Sequence, residues 1–223
     1  MMDQPCSYEE LRGCLHDIAR VNRLTFAYRP TISWMEELVA AHPPVSPLRV
    51  VDVGCGDGNM LRRIHAWAAR REVPVALTGI DLNPDAIHAA REATPPELQI
   101  DWIVGDALSS AAIGDIDVVI CSLLTHHLTD PQIVLFLQWA ERATRRGWFI
   151  NDLHRKAVPY HLFRLWARFT NWHPFVKNDG AVSIRRSFVA DDWHSLCAAA
   201  GLDPKTVSIK DYRPARLCVG RIK

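Results

Sequence analysis

Three things are missing from this sequence. Nowhere do the roughly 18 uninterrupted apolar residues of a bilayer span occur. The start, MMDQPCSYEE, is polar and acidic, with no apolar run behind a basic end. Neither a membrane span nor a secretory leader is expected, and the protein is expected in the cytoplasm. Neither charge is in excess: 26 basic and 25 acidic residues leave a formal charge of +1. The four Arg-Arg pairs, beginning at Arg62, Arg70, Arg145 and Arg185, are dispersed along the chain. No long-range field that would gather nucleic acid or an anionic membrane is therefore indicated, and each pair reads as a solvated face. The six cysteines, Cys6, Cys14, Cys55, Cys121, Cys197 and Cys218, contain no Cys-x-x-Cys spacing. That argues against a disulfide framework or a zinc knuckle and suits reduced thiols.

What is present is a chain of 223 residues, 48% hydrophobic, enough to bury a core as one domain with additions. Ser7 with Glu10 reads as a capping box opening a helix that keeps apolar spacing to about Phe26. TyrArgPro at 28–30 interrupts it, a second helix follows from about Thr31 to Ala41, and HPPVSP links to the rest. Residues 1–47 are thus expected to form a helical cap and 48–223 the core.

In the core, strands and helices alternate. Strands are expected at Leu48 to Val53, Val75 to Ile80, Leu98 to Val104, Ile116 to Ser122 and Gly147 to Asn151. Helices are expected from about Gly58 to Arg71, after Asn83-Pro84, and from Asp130-Pro131 to Ala143. Such alternation predicts a mostly parallel, doubly wound α/β sheet. The tail differs: a helix at Ala190 to Ala200 stops at Gly201. Two strands then follow, Thr206 to Lys210 and Ala215 to Ile222, joined by DYRP and close enough to pair as an antiparallel hairpin.

The first strand runs into VVDVGCGDGNM, Val50 to Met60. A glycine-rich turn between strand and helix lets a ligand lie against bare backbone beside a helix N-terminus. The dinucleotide spacing GxGxxG fails, because residue 59 is Asn and the third glycine is Gly58, so NAD is disfavoured. Two acids accompany the turn: Asp81 ends strand two in TGIDLNP, and Asp106 follows strand three in VGDAL. A carboxylate at the end of strand two can accept from both hydroxyls of a ribose.

This trio resembles the class I S-adenosylmethionine-dependent methyltransferases, from about Leu48 to Ile150, with the terminal hairpin continuing the likeness. The resemblance implies a Rossmann-like sheet of seven strands and S-adenosylmethionine as cofactor, released as S-adenosylhomocysteine. It assigns Asp81 and Leu82 to the ribose side, Asp106 and Ala107 to the adenine, and Gly54, Cys55 and Gly56 to the methionine part. Asp52 would face the amino group directly or through water. More loosely, RVNRLTFAYRPTISWM, SLLTHHLTD, INDLHR and NDGAVSIRRSF are similar to small bacterial methyltransferases of quinone and polyketide pathways. On that likeness the N-terminal helices fold over the cofactor, and Tyr28 or Arg29 meets its carboxylate.

Transfer to a hydroxyl needs a base, and histidine suits near neutral pH. His126 and His127 lie just past strand four, and His154 follows strand five; each is a candidate. Of the first two, one is expected to face the pocket and the other to pack or cap the next helix. Asp152 could orient a histidine or bind a metal, and it is counted with Tyr160, Phe163 and Trp166 among the acceptor-binding candidates. No metal is expected, since strand four ends in Cys121-Ser122 where a metal-dependent enzyme would place an acid. An insertion at about 153–189 carries Tyr160, Phe163 and Trp166 in an aromatic stripe and is expected to act as a lid over a small aromatic or polyketide-like acceptor. The leading reading is O-methylation of such a metabolite by a monomer or homodimer. Methylation at carbon or nitrogen, RNA or protein acceptors, and a non-catalytic binder on the same fold stand as alternatives.

Overall fold

The computed structural model describes residues 7–110, 114–157, 160, 161, 166, 180 and 182–223. Two helices come first, α1 (Tyr8–Leu24) and α2 (Arg29–Ala41). Strands β1 (Leu48–Val53), β2 (Val75–Asp81), β3 (Ile100–Val104), β4 (Ile116–Ser122) and β5 (Thr144–Leu153) then alternate with α3 (Asn59–Arg71), α4 (Pro84–Ala93) and α5 (Asp130–Ala143). Helix α6 (Ala190–Ala199) precedes β6 (Ser208–Tyr212) and β7 (Arg216–Ile222).

The seven strands lie in one sheet in the order β3-β2-β1-β4-β5-β7-β6. β1 to β5 pair in parallel, and β7 inserts antiparallel between β5 and β6. The expected Rossmann-like sheet with its C-terminal hairpin is therefore what the chain forms. The order reverses between β1 and β4, which opens a crevice at their carboxyl ends.

Both faces of the sheet are covered, which is why its central strands read as continuous apolar runs. On one face Trp34, Met35 and Leu38 of α2 and Leu61, Ile64 and Trp67 of α3 pack on Val50, Val118, Ile120 and Phe149. On the other, Ile133, Phe136 and Leu137 of α5 and Trp193 and Leu196 of α6 pack on Val51, Val119, Trp148 and Ile150. Helix α1 lies apart from both, setting Leu11 and Leu15 on Ala86 and Ala89 of α4.

Several boundaries differ from expectation. Helix α2 starts at Arg29 because Pro30 falls in the first turn, where its missing N–H costs no bond. β5 runs ten residues rather than five, since β7 pairs with it as far as Leu153↔Arg216. Asp211 and Tyr212 belong to β6, so the hairpin loop is Arg213 to Ala215. Phe163 and most of the expected lid lie outside the described residues.

One glycine of the first loop is dictated by packing. Gly58 has φ of 73°, and a Cβ there would lie 2.2 Å from Cη2 of Trp102. Gly58→Ala should therefore lower stability by about 1–3 kcal/mol in urea unfolding. Adding Trp102→Leu should return the steric share of that loss and leave the share owed to positive φ.

Candidate active site

A cavity of about 1640 Å³ opens over the carboxyl ends of the strands. That exceeds the roughly 300–1,000 Å³ typical of a site for one small molecule. Helix α1 roofs it, contributing Leu11, Leu15, Ile18 and Asn22 to the wall.

At the β1 end, Gly54, Cys55 and Gly56 line the cavity with Asp52 beneath them. A Cβ on Gly54, whose φ is 69°, would come 3.1 Å from the Leu124 methyls, so the cradle depends on a bare backbone here. Asp81 closes the loop: its Oδ2 accepts from the Gly56 N–H at 3.0 Å and its Oδ1 from the Asn83 N–H at 3.0 Å. Burial raises its pKa, and those two backbone donors work against the rise. Leu82, Asp106 and Ala107 also line the wall; Asp106 is exposed and accepts from the Leu108 N–H at 3.0 Å.

Asp52 is buried with one oxygen unsatisfied: it is 2% exposed, and its Oδ1 has no hydrogen-bond partner. Burial, then the charges of Asp81 and Asp57, push its pKa well above the carboxylate range. A buried carboxyl with an orphan oxygen on a cavity wall suits a cationic ligand group that would supply the missing donor.

At the β4 and β5 ends a second carboxylate is fully satisfied. Asp152 is completely buried. Its Oδ1 lies 2.7 Å from Nδ1 of His126 and accepts from the Leu153 N–H at 2.7 Å. Its Oδ2 accepts from the His126 N–H at 3.1 Å and from the Thr125 hydroxyl. Burial alone would raise its pKa, but the His126 ring and these donors outweigh it and bring it to about 2. An ionised Asp152 can only accept, so Nδ1 of His126 carries the proton and Nε2 is the ring's basic nitrogen.

The other expected residues sort clearly. His127 lines the cavity as well, its ring 4.2 Å from that of His126, so both histidines face it rather than one. Tyr28 lines the wall, donates to the Ala19 carbonyl at 3.4 Å, and carries the Arg63 guanidinium over its ring at 4.0 Å. Arg29 is not brought to the cavity: it is exposed and its guanidinium stacks on Phe26 at 4.2 Å. His154 is not brought there either. Its Nδ1 lies 3.0 Å from Asp211 on β6, because β5 continues past Asn151 and turns this side chain toward the hairpin. Of the aromatic stripe, Trp166 lines the cavity and Tyr160 does not. Among the described residues no cluster of His, Cys, Asp and Glu has metal-binding form, and no helix is long and apolar enough to cross a membrane.

Sequence reasoning overlooked Arg216 and Asn22. Arg216 is 6% exposed, lines the cavity, and donates to Asn22 Oδ1 at 2.6 Å. An arginine opening the otherwise apolar run RLCVG was the available signal.

Residues 50–147 match the family described as "Methyltransferase domain". The chain is 29% identical over 211 residues to a ubiquinone biosynthesis O-methyltransferase of Albidiferax ferrireducens, covering 92% of this chain and 75% of that one. It is 35% identical over 100 residues to a trans-aconitate 2-methyltransferase of Mycobacterium marinum, covering 45% and 34% of the two chains. The fold is similar to the plantazolicin methyltransferase BpumL solved with S-adenosylhomocysteine: TM-score 0.69, 17% identity, 94% of this chain and 89% of that one.

Asp52 generates a linked pair of outcomes. A carboxyl whose folded pKa is raised above its unfolded value loses stability for the protein as pH climbs from the unfolded pKa through the folded one. Asp52→Asn should therefore raise the melting temperature of the ligand-free protein at pH 8 while weakening S-adenosylmethionine. The affinity of the unsubstituted protein should rise with pH, and the Asn variant should flatten that rise, both read by calorimetry. Asp81→Ala should weaken the same ligand by roughly tenfold or more, and unchanged affinity would remove Asp81 from the binding surface.

Proposed function

Since the chain is a class I S-adenosylmethionine-dependent methyltransferase, we propose that it methylates a hydroxyl of a small aromatic or polyketide-like acceptor, with His126 as base. The observation that carries this reading is the Asp152–His126 pair, whose histidine lines a cavity large enough for two ligands while its carboxylate lies buried behind.

The residues present fit the cofactor. Gly54 and Gly56 would give a backbone cradle, Asp81 and Asp106 on the same wall would hold ribose and adenine, and the unpartnered oxygen of Asp52 would take the ammonium. When bound, S-adenosylmethionine supplies an electrophilic sulfonium methyl. The chain's own part is then positioning, exclusion of water and removal of one proton. Leu124, Leu128, Leu135 and Phe136 give the cavity a dry wall beside the histidines. Asp152 fixes the His126 tautomer and steadies the imidazolium that forms, so that Nε2 takes the acceptor's hydroxyl proton as oxygen gains its methyl.

In this reading α1 caps the cavity, while α2, expected to fold over the cofactor too, packs on the sheet and lines none of it, and Trp166 belongs to a lid carried by the insertion at 153–189. The cap is tied to the core where Asn151 Nδ2 donates to the Ala27 carbonyl at 2.8 Å and to the Thr31 hydroxyl at 3.0 Å. The enzyme acts in the cytoplasm as a monomer or homodimer, on a metabolite rather than on a nucleic acid. The ubiquinone-pathway relative, similar along most of the chain, favours a hydroxyl acceptor.

The test is turnover of phenols and quinols, read as S-adenosylhomocysteine released. His126→Asn and Asp152→Asn should each lower kcat by roughly 10² to 10⁴-fold with cofactor affinity intact. A phenol already ionised at the assay pH should lose far less in His126→Asn, since no proton then needs a base. Equal losses for ionised and un-ionised phenols would assign His126 to positioning instead.

A further inference from the structure

The charged residues of the cavity wall are segregated. Asp52, Asp57, Asp81 and Asp106 all lie at the end formed by β1, β2 and β3. Lys156, Arg213 and Arg216 all lie at the opposite end, beyond β5. In each group one charge is answered locally, Asp57 by Arg62 at 3.3 Å and Lys156 by Asp211. The acidic end suits a cofactor whose sulfonium and ammonium leave it with net positive charge. The basic end has no such explanation.

Arg216 is the centre of that end. It is buried, and among the described residues its polar contact is the Asn22 side chain, with no carboxylate paired to it. Asp152 is near enough to favour its charge, but that carboxylate is already taken up by His126, Thr125 and Leu153. Burial outweighs this help and lowers the guanidinium pKa. A hydrogen bond to Asn22 needs a donor and not a full charge, so a structural strut leaves the cation unexplained. β7 also stands three strands from β1, about 14 Å across the sheet, with the His126–Asp152 pair between them.

We propose that Arg216 anchors a carboxylate on the methyl acceptor, seconded by Arg213 at the cavity mouth. The enzyme then takes hydroxylated acids, gripping the carboxylate at the β7 end and presenting the hydroxyl to His126. A guanidinium grips a carboxylate through two parallel N–H donors, which fixes orientation as well as affinity. This rests on the methyl-transfer reading above, and a binding measurement separates the two.

The probes are 4-hydroxybenzoate and 3-(4-hydroxyphenyl)propanoate, each against its neutral amide, titrated into the protein saturated with S-adenosylhomocysteine. Each acid should bind roughly 10- to 100-fold more tightly than its amide. Arg216→Gln, which can still donate to Asn22, should remove that preference with S-adenosylhomocysteine affinity unchanged, and Arg216→Lys should restore part of it. Equal binding within both pairs, or no binding of any of the four, overturns the assignment without recourse to a variant. Loss of S-adenosylhomocysteine affinity in Arg216→Gln also overturns it, by placing the arginine on the cofactor. So does methyl transfer onto the carboxylate itself, read by mass spectrometry as an ester. Arg216-dependent binding of the acids without turnover upholds the anchor and counts against hydroxyl methylation.

Discussion

The buried carboxylate of Asp152 is the constraint around which the β4 and β5 end of the cavity is arranged. A charge with no solvent contact is tolerated only where donors replace the lost water. Here they come from the hydroxyl of Thr125, the backbone and ring of His126 and the backbone of Leu153. That requirement holds the short 3-10 turn Thr125–His127 against the end of β5. It also forces a single tautomer on His126. The same contacts that keep the carboxylate ionised make the opposite ring nitrogen a base.

At the other end of the cavity the logic is inverted. Asp52 is as deeply buried as Asp152 but has no donor on Oδ1. One acid is satisfied by the chain and drops to about 2; the other is left for a ligand and rises. Two carboxyls at the ends of neighbouring regions of one sheet thus have opposite electrostatic character. The difference lies in the hydrogen-bond donors around them, not in depth of burial. The β1 end can gain from an incoming cation, while the carboxylate at the β5 end is satisfied by the chain itself.

Much of the frame was legible because parallel strands buried on both faces leave apolar runs, and capped helices leave Ser, Asn and Pro at their starts. VVDVGCGDGNM, TGIDLNP and VGDAL were legible for another reason. They are short segments at strand ends, where backbone geometry and a single side chain define a contact. The acceptor side was harder. His126, His127 and His154 are equivalent in a sequence, each within a few residues of a strand end. The length of β5 separates them, because its extension past Asn151 carries His154 to Asp211 and leaves Asp152 under His126. Arg29 reads as a cation near a ligand, yet the start of α2 at that residue turns it onto Phe26. Arg216 could not be placed at all without knowing that β7 inserts beside β5.

By itself, then, the sequence determined the alternating sheet, the glycine-rich loop and the two acids that share a cavity wall with it. These depend on periodicity and on contacts within a few residues of one another. Only the tertiary structure decided which histidine meets the buried carboxylate of Asp152, which of two buried acids is left unsatisfied, and where Arg216 stands. Each of those depends on side chains brought together by strand order from distant parts of the chain, and no local pattern records that order.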